Sequence, residues 1–63
     1  MTIEKYYVST TDGIANNGIR RLTGYYKTQS EAEAFYNNVY HAYNVLLLRK
    51  LINNRIRKTI KSK

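Results

Sequence analysis

All three glycines of this 63-residue chain, Gly13, Gly18 and Gly24, fall within its first 24 residues, and it contains no proline. Glycine and proline are the strongest punctuation a chain can carry. The first part is therefore expected to turn often, while residues 25–63 meet no breaker. Ile3 to Thr10 is rich in Tyr, Val and Thr, which suit a half-buried pleated surface. Alternation puts Tyr6, Val8 and Thr10 on one face of that strand and Ile3, Lys5, Tyr7 and Ser9 on the other. Asp12-Gly13 and Asn17-Gly18 supply the positive φ angles of tight turns, which leaves either one long hairpin loop or a short intervening strand. A second strand is expected over Ile19–Thr23, with Gly24 as a bulge or turn before Tyr25-Tyr26-Lys27. In each Tyr pair one ring faces the core and the other the outer surface.

A helix is expected to follow. Ser30 and Glu33 match a capping box, and Thr28 and Glu31 match it two residues earlier. Phe35, Val39, Ala42 and Leu46 then recur at spacings of three and four, and Val45, Leu48, Ile52, Ile56 and Ile60 continue a rotated stripe. With no breaker, the reading is one helix of about thirty residues or two that part near Asn53-Asn54, the weakest point in helix propensity. The expected fold class is α+β: a small two- or three-stranded antiparallel sheet followed by one long, or broken, C-terminal helix. Residues 1–63 form one domain, with strands and turns to residue 28 and helix from 29. Val45, Leu46, Leu47, Leu48 and Ile52 make such a helix apolar around too much of its circumference, so self-association into a homo-oligomer is expected there. A chain this short buries only ~60% of its unfolded surface, which a partner copy would supplement.

The formal charge is +7, and it is unevenly spread. Arg49, Lys50, Arg55, Arg57, Lys58, Lys61 and Lys63 place seven cations and no acid in the last fifteen residues. Such a density repels itself unless an anion compensates it, so a polyanionic partner is expected. Catalysis is not: the acids are Glu4, Asp12, Glu31 and Glu33 alone, and no Gly-rich phosphate loop follows a strand. The single His41, with no cysteine in the chain, cannot build a metal site, and no cofactor is expected. The stretch MTIEKYYVST lacks the apolar segment of a secretory signal. The longest apolar run, Val45–Leu48, is far below the ~20 residues of a membrane span. A cytoplasmic location without membrane insertion is expected.

Lys5-Tyr6-Tyr7-Val8, then Gly18-Ile19-Arg20-Arg21, then the run from Gly24 to Phe35 (GYYKTQSEAEAF) together resemble one known family. This is the arm-type DNA-binding domain at the N-terminus of phage and transposon tyrosine integrases, matched over residues 4–36. The resemblance implies a three-stranded antiparallel sheet backed by a helix, its sheet face set into the major groove. By position it implies Arg20, Arg21, Tyr25 or Tyr26, and Lys27 as DNA-facing residues. No catalytic domain follows the helix, so only the binding role transfers. The strand and Gly-Tyr pattern is also similar to the hybrid-binding domain of ribonucleases H.

The expected function is non-enzymatic nucleic-acid binding, DNA favoured over RNA, in a small phage or mobile-element protein. Arg20, Arg21, Tyr25, Tyr26 and Lys27 would contact it from the strands, and Arg49, Lys50, Arg55, Arg57, Lys58 and Lys61 from a basic helix. A second reading is an interaction protein that docks on a host protein or larger assembly through its Tyr-rich and Leu-rich surfaces. A third lays the basic helix on an anionic membrane surface.

Overall fold

Four antiparallel strands and one short helix make up the computed structural model, which describes residues 2–11 and 19–63. The expected Asp12-Gly13 and Asn17-Gly18 turns lie outside the described residues. The elements are β1 (Glu4–Thr11), β2 (Ile19–Arg21), α1 (Gln29–Asn38), β3 (Leu47–Ile52) and β4 (Ile56–Ser62). Their order in the sheet is β2-β1-β3-β4, each neighbour antiparallel to the next. β2 and β3 therefore run in the same direction with β1 between them, and α1 carries the crossover across one face.

β1 follows its alternation. Tyr6 and Val8 enter the core with Ala32 and Tyr36 of α1, while Tyr7 and Ser9 take the opposite face. The second strand is shorter than Ile19–Thr23 because the chain departs after Arg21 and returns for a single bridge, Tyr26 with Tyr6. Across that gap Leu22 N–H donates to Val8 O at 2.8 Å, and the Thr23 hydroxyl accepts the Val8 N–H at 3.1 Å. A side-chain oxygen thus replaces the missing strand carbonyl, and no amide of the central strand is orphaned there.

The helix opens at Gln29 with Thr28 as its cap, so the earlier of the two capping templates is the one used. Thr28 Oγ1 accepts from Glu31 N–H at 3.4 Å and donates to Glu31 Oε1 at 3.0 Å. Ala32 and Tyr36, one turn apart, are buried on β1 and β3.

The long C-terminal helix is absent. α1 stops at Asn38, and residues 47–62 form a β-hairpin. Two physical reasons account for the difference. From Tyr36 to Val45 the chain reads Tyr, Asn, Asn, Val, Tyr, His, Ala, Tyr, Asn, Val, in which Ala42 alone is a strong helix former. The stripe Leu48, Ile52, Ile56, Ile60 is spaced by four, and four is a multiple of the strand period as well as one helical turn. In the structure Leu48, Ile52 and Ile56 lie on one sheet face, and Ile60 reaches the same core through a β-bulge in β4.

Asn53-Asn54 is the hairpin turn. Both residues have positive φ, 52° and 57°, and Arg55 N–H donates to Ile52 O at 3.0 Å. Asn is among the few non-glycine residues that tolerate this region. Asn53 also stitches the turn to the start of β1: its amide oxygen accepts Ile3 N–H at 2.9 Å, and its own N–H donates to Ile3 O at 2.8 Å.

The core lies between α1 and the central strands. Leu46, Leu48 and Val8 are fully buried in it, with Leu22, Tyr26, Phe35, Val39, Tyr43 and Ile60 around its rim. Within the Val45–Leu48 run, Leu46 and Leu48 are buried in the core of the chain itself, while Val45, Leu47 and Ile52 are half-buried. No helix among the described residues is long and apolar enough to cross a membrane.

Candidate functional site

Strand register sorts the charged residues of the sheet. Direct cross-strand partners share a face, so Lys5 with Leu51, Tyr7 with Arg49, and Ser9 with Leu47 and Arg21 lie on the side away from α1. Arg49 pairs with Thr59, and Leu51 with Arg57, on that same side. The described charges of this face are Lys5, Arg21, Arg49 and Arg57, and all are positive. The described acids lie elsewhere. Glu4 pairs with Ile52 on the helix side, and Glu31 and Glu33 sit on α1.

Sequence alone placed Arg20 beside Arg21, but alternation sends the two to opposite faces, and Arg20 pairs with Thr10 on the helix side. Tyr26 joins the rim of the core. Lys50 forms an ion pair with Glu4, and its ammonium lies 5.8 Å from the Tyr6 ring centroid. The hydrogen bond from Lys50 to Glu4 holds that ammonium above its ordinary pKa, against a smaller opposing effect of burial. Lys58 pairs across from Lys50, and Lys61 lies 3.6 Å from a Glu33 carboxylate oxygen, both on the helix side. Arg55 stands in the hairpin turn and Lys27 is exposed just before α1. Of the residues expected to bind nucleic acid, the fold brings Arg21, Tyr25, Arg49 and Arg57 onto one face.

Lys5, Tyr7 and Ser9 belong to that face as well. Their alternation was legible in the sequence, whereas their cationic neighbours on β3 and β4 were hidden by the helical reading. The Tyr25 ring meets Tyr7 edge-on, centroids 5.7 Å apart at 87°. Arg21 lies 4.6 Å from the Tyr25 ring centroid and Lys5 lies 5.5 Å from it. Tyr25 is 43% exposed, while Tyr7 is only 5% exposed and forms the floor. Two cations are therefore held beside one aromatic ring, each cation–π contact worth about 0.5–1 kcal/mol at an exposed site.

Two donors on this face have no partner among the described residues: Ser9 Oγ, in a fully buried residue, and Arg49 Nε. An unsatisfied buried polar group costs about 1–3 kcal/mol. Elsewhere such groups are satisfied; the Thr10 hydroxyl, on the helix side, donates to Val45 O. Among the described residues no cluster of three or more His, Cys, Asp or Glu side chains is placed to hold a metal. His41 lies beyond α1, its ring edge-on to Tyr40 at 5.2 Å.

No family model, no curated protein and no solved structure matches the chain.

Proposed function

We propose that this protein binds nucleic acid through the sheet face away from α1, chiefly by contacts to phosphates. The observation that carries the reading is the charge sorting: cations alone on the described part of that face, with the described acids, Glu4, Glu31 and Glu33, on the helix side. A surface of one sign raises the local concentration of a polyanion and steers its approach. Duplex DNA is favoured within the class. The B-form major groove admits strands, whereas the A-form major groove of RNA is too narrow to be read by side chains. Single strands are usually held by stacking on open aromatic rings; here Tyr7 is buried and Tyr25 already has cations against it.

The test is a titration of a mixed-sequence DNA duplex across salt concentrations. Affinity is expected to fall with salt at a log–log slope of roughly −0.9 per phosphate neutralised. Replacing Arg21 and Arg57 together by Ala should flatten the slope by about two units, whereas Lys58→Ala, on the helix side, should change it less. A slope near zero, or no response to the double replacement, refutes the reading. Equal binding of a structured RNA would widen the class. Binding of a folded protein instead, insensitive to Arg21 and Arg57, would point to a docking module.

A further inference from the structure

We infer that the outer edge of β4 accepts an extended acidic peptide, paired antiparallel alongside residues 56–59 as a further strand of the sheet. This edge is a different surface from the cationic sheet face, although Arg57 belongs to both.

Open pairing comes first. β4 is the last strand in the order β2-β1-β3-β4, and among the described residues no backbone group bonds to its outer side. In an antiparallel ladder alternate residues turn their N–H and C=O groups away from the neighbouring strand. Along an edge those groups form a ready template for another chain. The bulge that sets Ile60 out of register ends the regular stretch at Thr59. At the opposite edge β2 has only three residues.

Chemistry comes second. Arg57 and Lys58 are exposed, lie on opposite faces and have no ion pair among the described residues. Two copies of β4 laid edge to edge would bring these cations together, which is destabilising. Cations on an edge ordinarily keep other strands off in this way, but the same cations attract a strand that carries acids. Ile56 points to an occupant. It is 54% exposed and pairs with the half-buried Ile52 on the helix side, with Lys58 two residues further along the same face. A purely protective edge has no use for that apolar side chain, whereas an added strand would cover it. Register then specifies the peptide: an apolar residue across from Ile56, acids across from Arg57 and Lys58, and a β-branched residue across from Thr59. Read antiparallel, that is Thr-Glu-Glu-Val. The ladder supplies affinity and the side chains selectivity.

The test titrates a short end-capped peptide centred on Thr-Glu-Glu-Val into the full chain while backbone amide NMR signals are followed. Saturable shifts and slower hydrogen exchange are expected at residues 56–59, with neither at Ile19–Arg21. A peptide with Lys in place of both Glu should not bind. N-methylation of both Glu amides, one of which must face β4, keeps the charge and should weaken binding by about tenfold. Lys58→Ala and Ile56→Thr should each weaken it by about two- to fivefold; the second effect is not expected of charge attraction alone.

Equal binding of the N-methylated peptide, or absence of saturable shifts at residues 56–59, overturns strand addition. Concentration-dependent shifts at the same amides without peptide, together with a dimer's mass in solution, would assign the edge to a second copy and overturn it too. Should the chain bind duplex DNA but ignore the peptide, the edge falls and the nucleic-acid reading stands. The converse result supports the edge and overturns that reading.

Discussion

The ring of Tyr25 stands edge-on against that of Tyr7 across the gap where β2 has left the sheet, 5.7 Å between centroids. This contact places a partly exposed aromatic between Lys5 and Arg21 and covers a buried one. Tyr25→Ala is expected to cost about 0.5–1.5 kcal/mol, the worth of an aromatic pair, and to expose Tyr7. Urea unfolding would measure the loss, and the Tyr7 ring-proton shifts would report the exposure. Tyr25→Phe, which keeps the ring, should stay within about 0.5 kcal/mol of the parent.

The Asn53-Asn54 turn makes a second prediction. A left-handed conformation costs an ordinary L-residue about 1–2 kcal/mol, so Asn54→Ala should destabilise by roughly that amount. Asn54→Gly should be neutral or stabilising, since glycine adopts positive φ freely. Asn53→Ala should cost more than Asn54→Ala, because it also removes the acceptor for Ile3 N–H. Denaturant midpoints of the three variants would rank them.

Glu33 gives the chain an acid-sensitive contact. The hydrogen bond from Gln29 at 2.9 Å and, after it, the nearby Lys61 ammonium hold its carboxyl below the ordinary 4.5, outweighing partial desolvation. A carboxylate depressed in the folded state stabilises above its unfolded pKa, and that stability is lost as pH falls through the folded value. Glu33→Gln should therefore be less stable than the parent at about pH 6 and should converge with it near about pH 3. Thermal melts across that range would show it.

Tyr36 works in the opposite direction. Burial, then the neighbouring Tyr40, raises its phenol above 10.0. Its contribution is complete below the unfolded value and is lost as pH rises through the folded one. Tyr36→Phe should remove this part of the alkaline loss, seen as a shallower fall in unfolding midpoint above about pH 10.

Ending the chain after Leu48 deletes β4 and most of β3, and it is expected to abolish cooperative unfolding and NMR dispersion. The basic C-terminal stretch is part of the sheet rather than an appended tail. Leu48→Ala alone should cost about 2–5 kcal/mol, a large share of the about 3–9 kcal/mol expected of a 63-residue domain.

Local grammar was readable where one residue pattern had one meaning. The alternation of β1, the split of each Tyr pair between faces, and the opening of α1 at one of two overlapping capping templates follow from rules that span a few residues. So does Arg21 with Tyr25 at the strand end. The cationic face had half a signal: the side taken by Lys5, Tyr7 and Ser9 was legible, their neighbours on β3 and β4 were not.

Sequence by itself determined that the chain is basic, that β1 has one apolar and one mixed face, and that a helix opens near residue 29. Only the tertiary structure decided what residues 39–63 become. Their four-residue apolar spacing satisfies a helix and a strand equally, and the absence of glycine and proline removed a usual arbiter. Pairing against the free edge of β1 settled it, because Val8 and Leu48 cover each other only when β3 lies alongside. That pairing also carried Arg49 and Arg57 onto the face of Lys5, Ser9 and Arg21. Residues some forty positions apart in the chain then share one surface, and no local rule specifies such a neighbourhood.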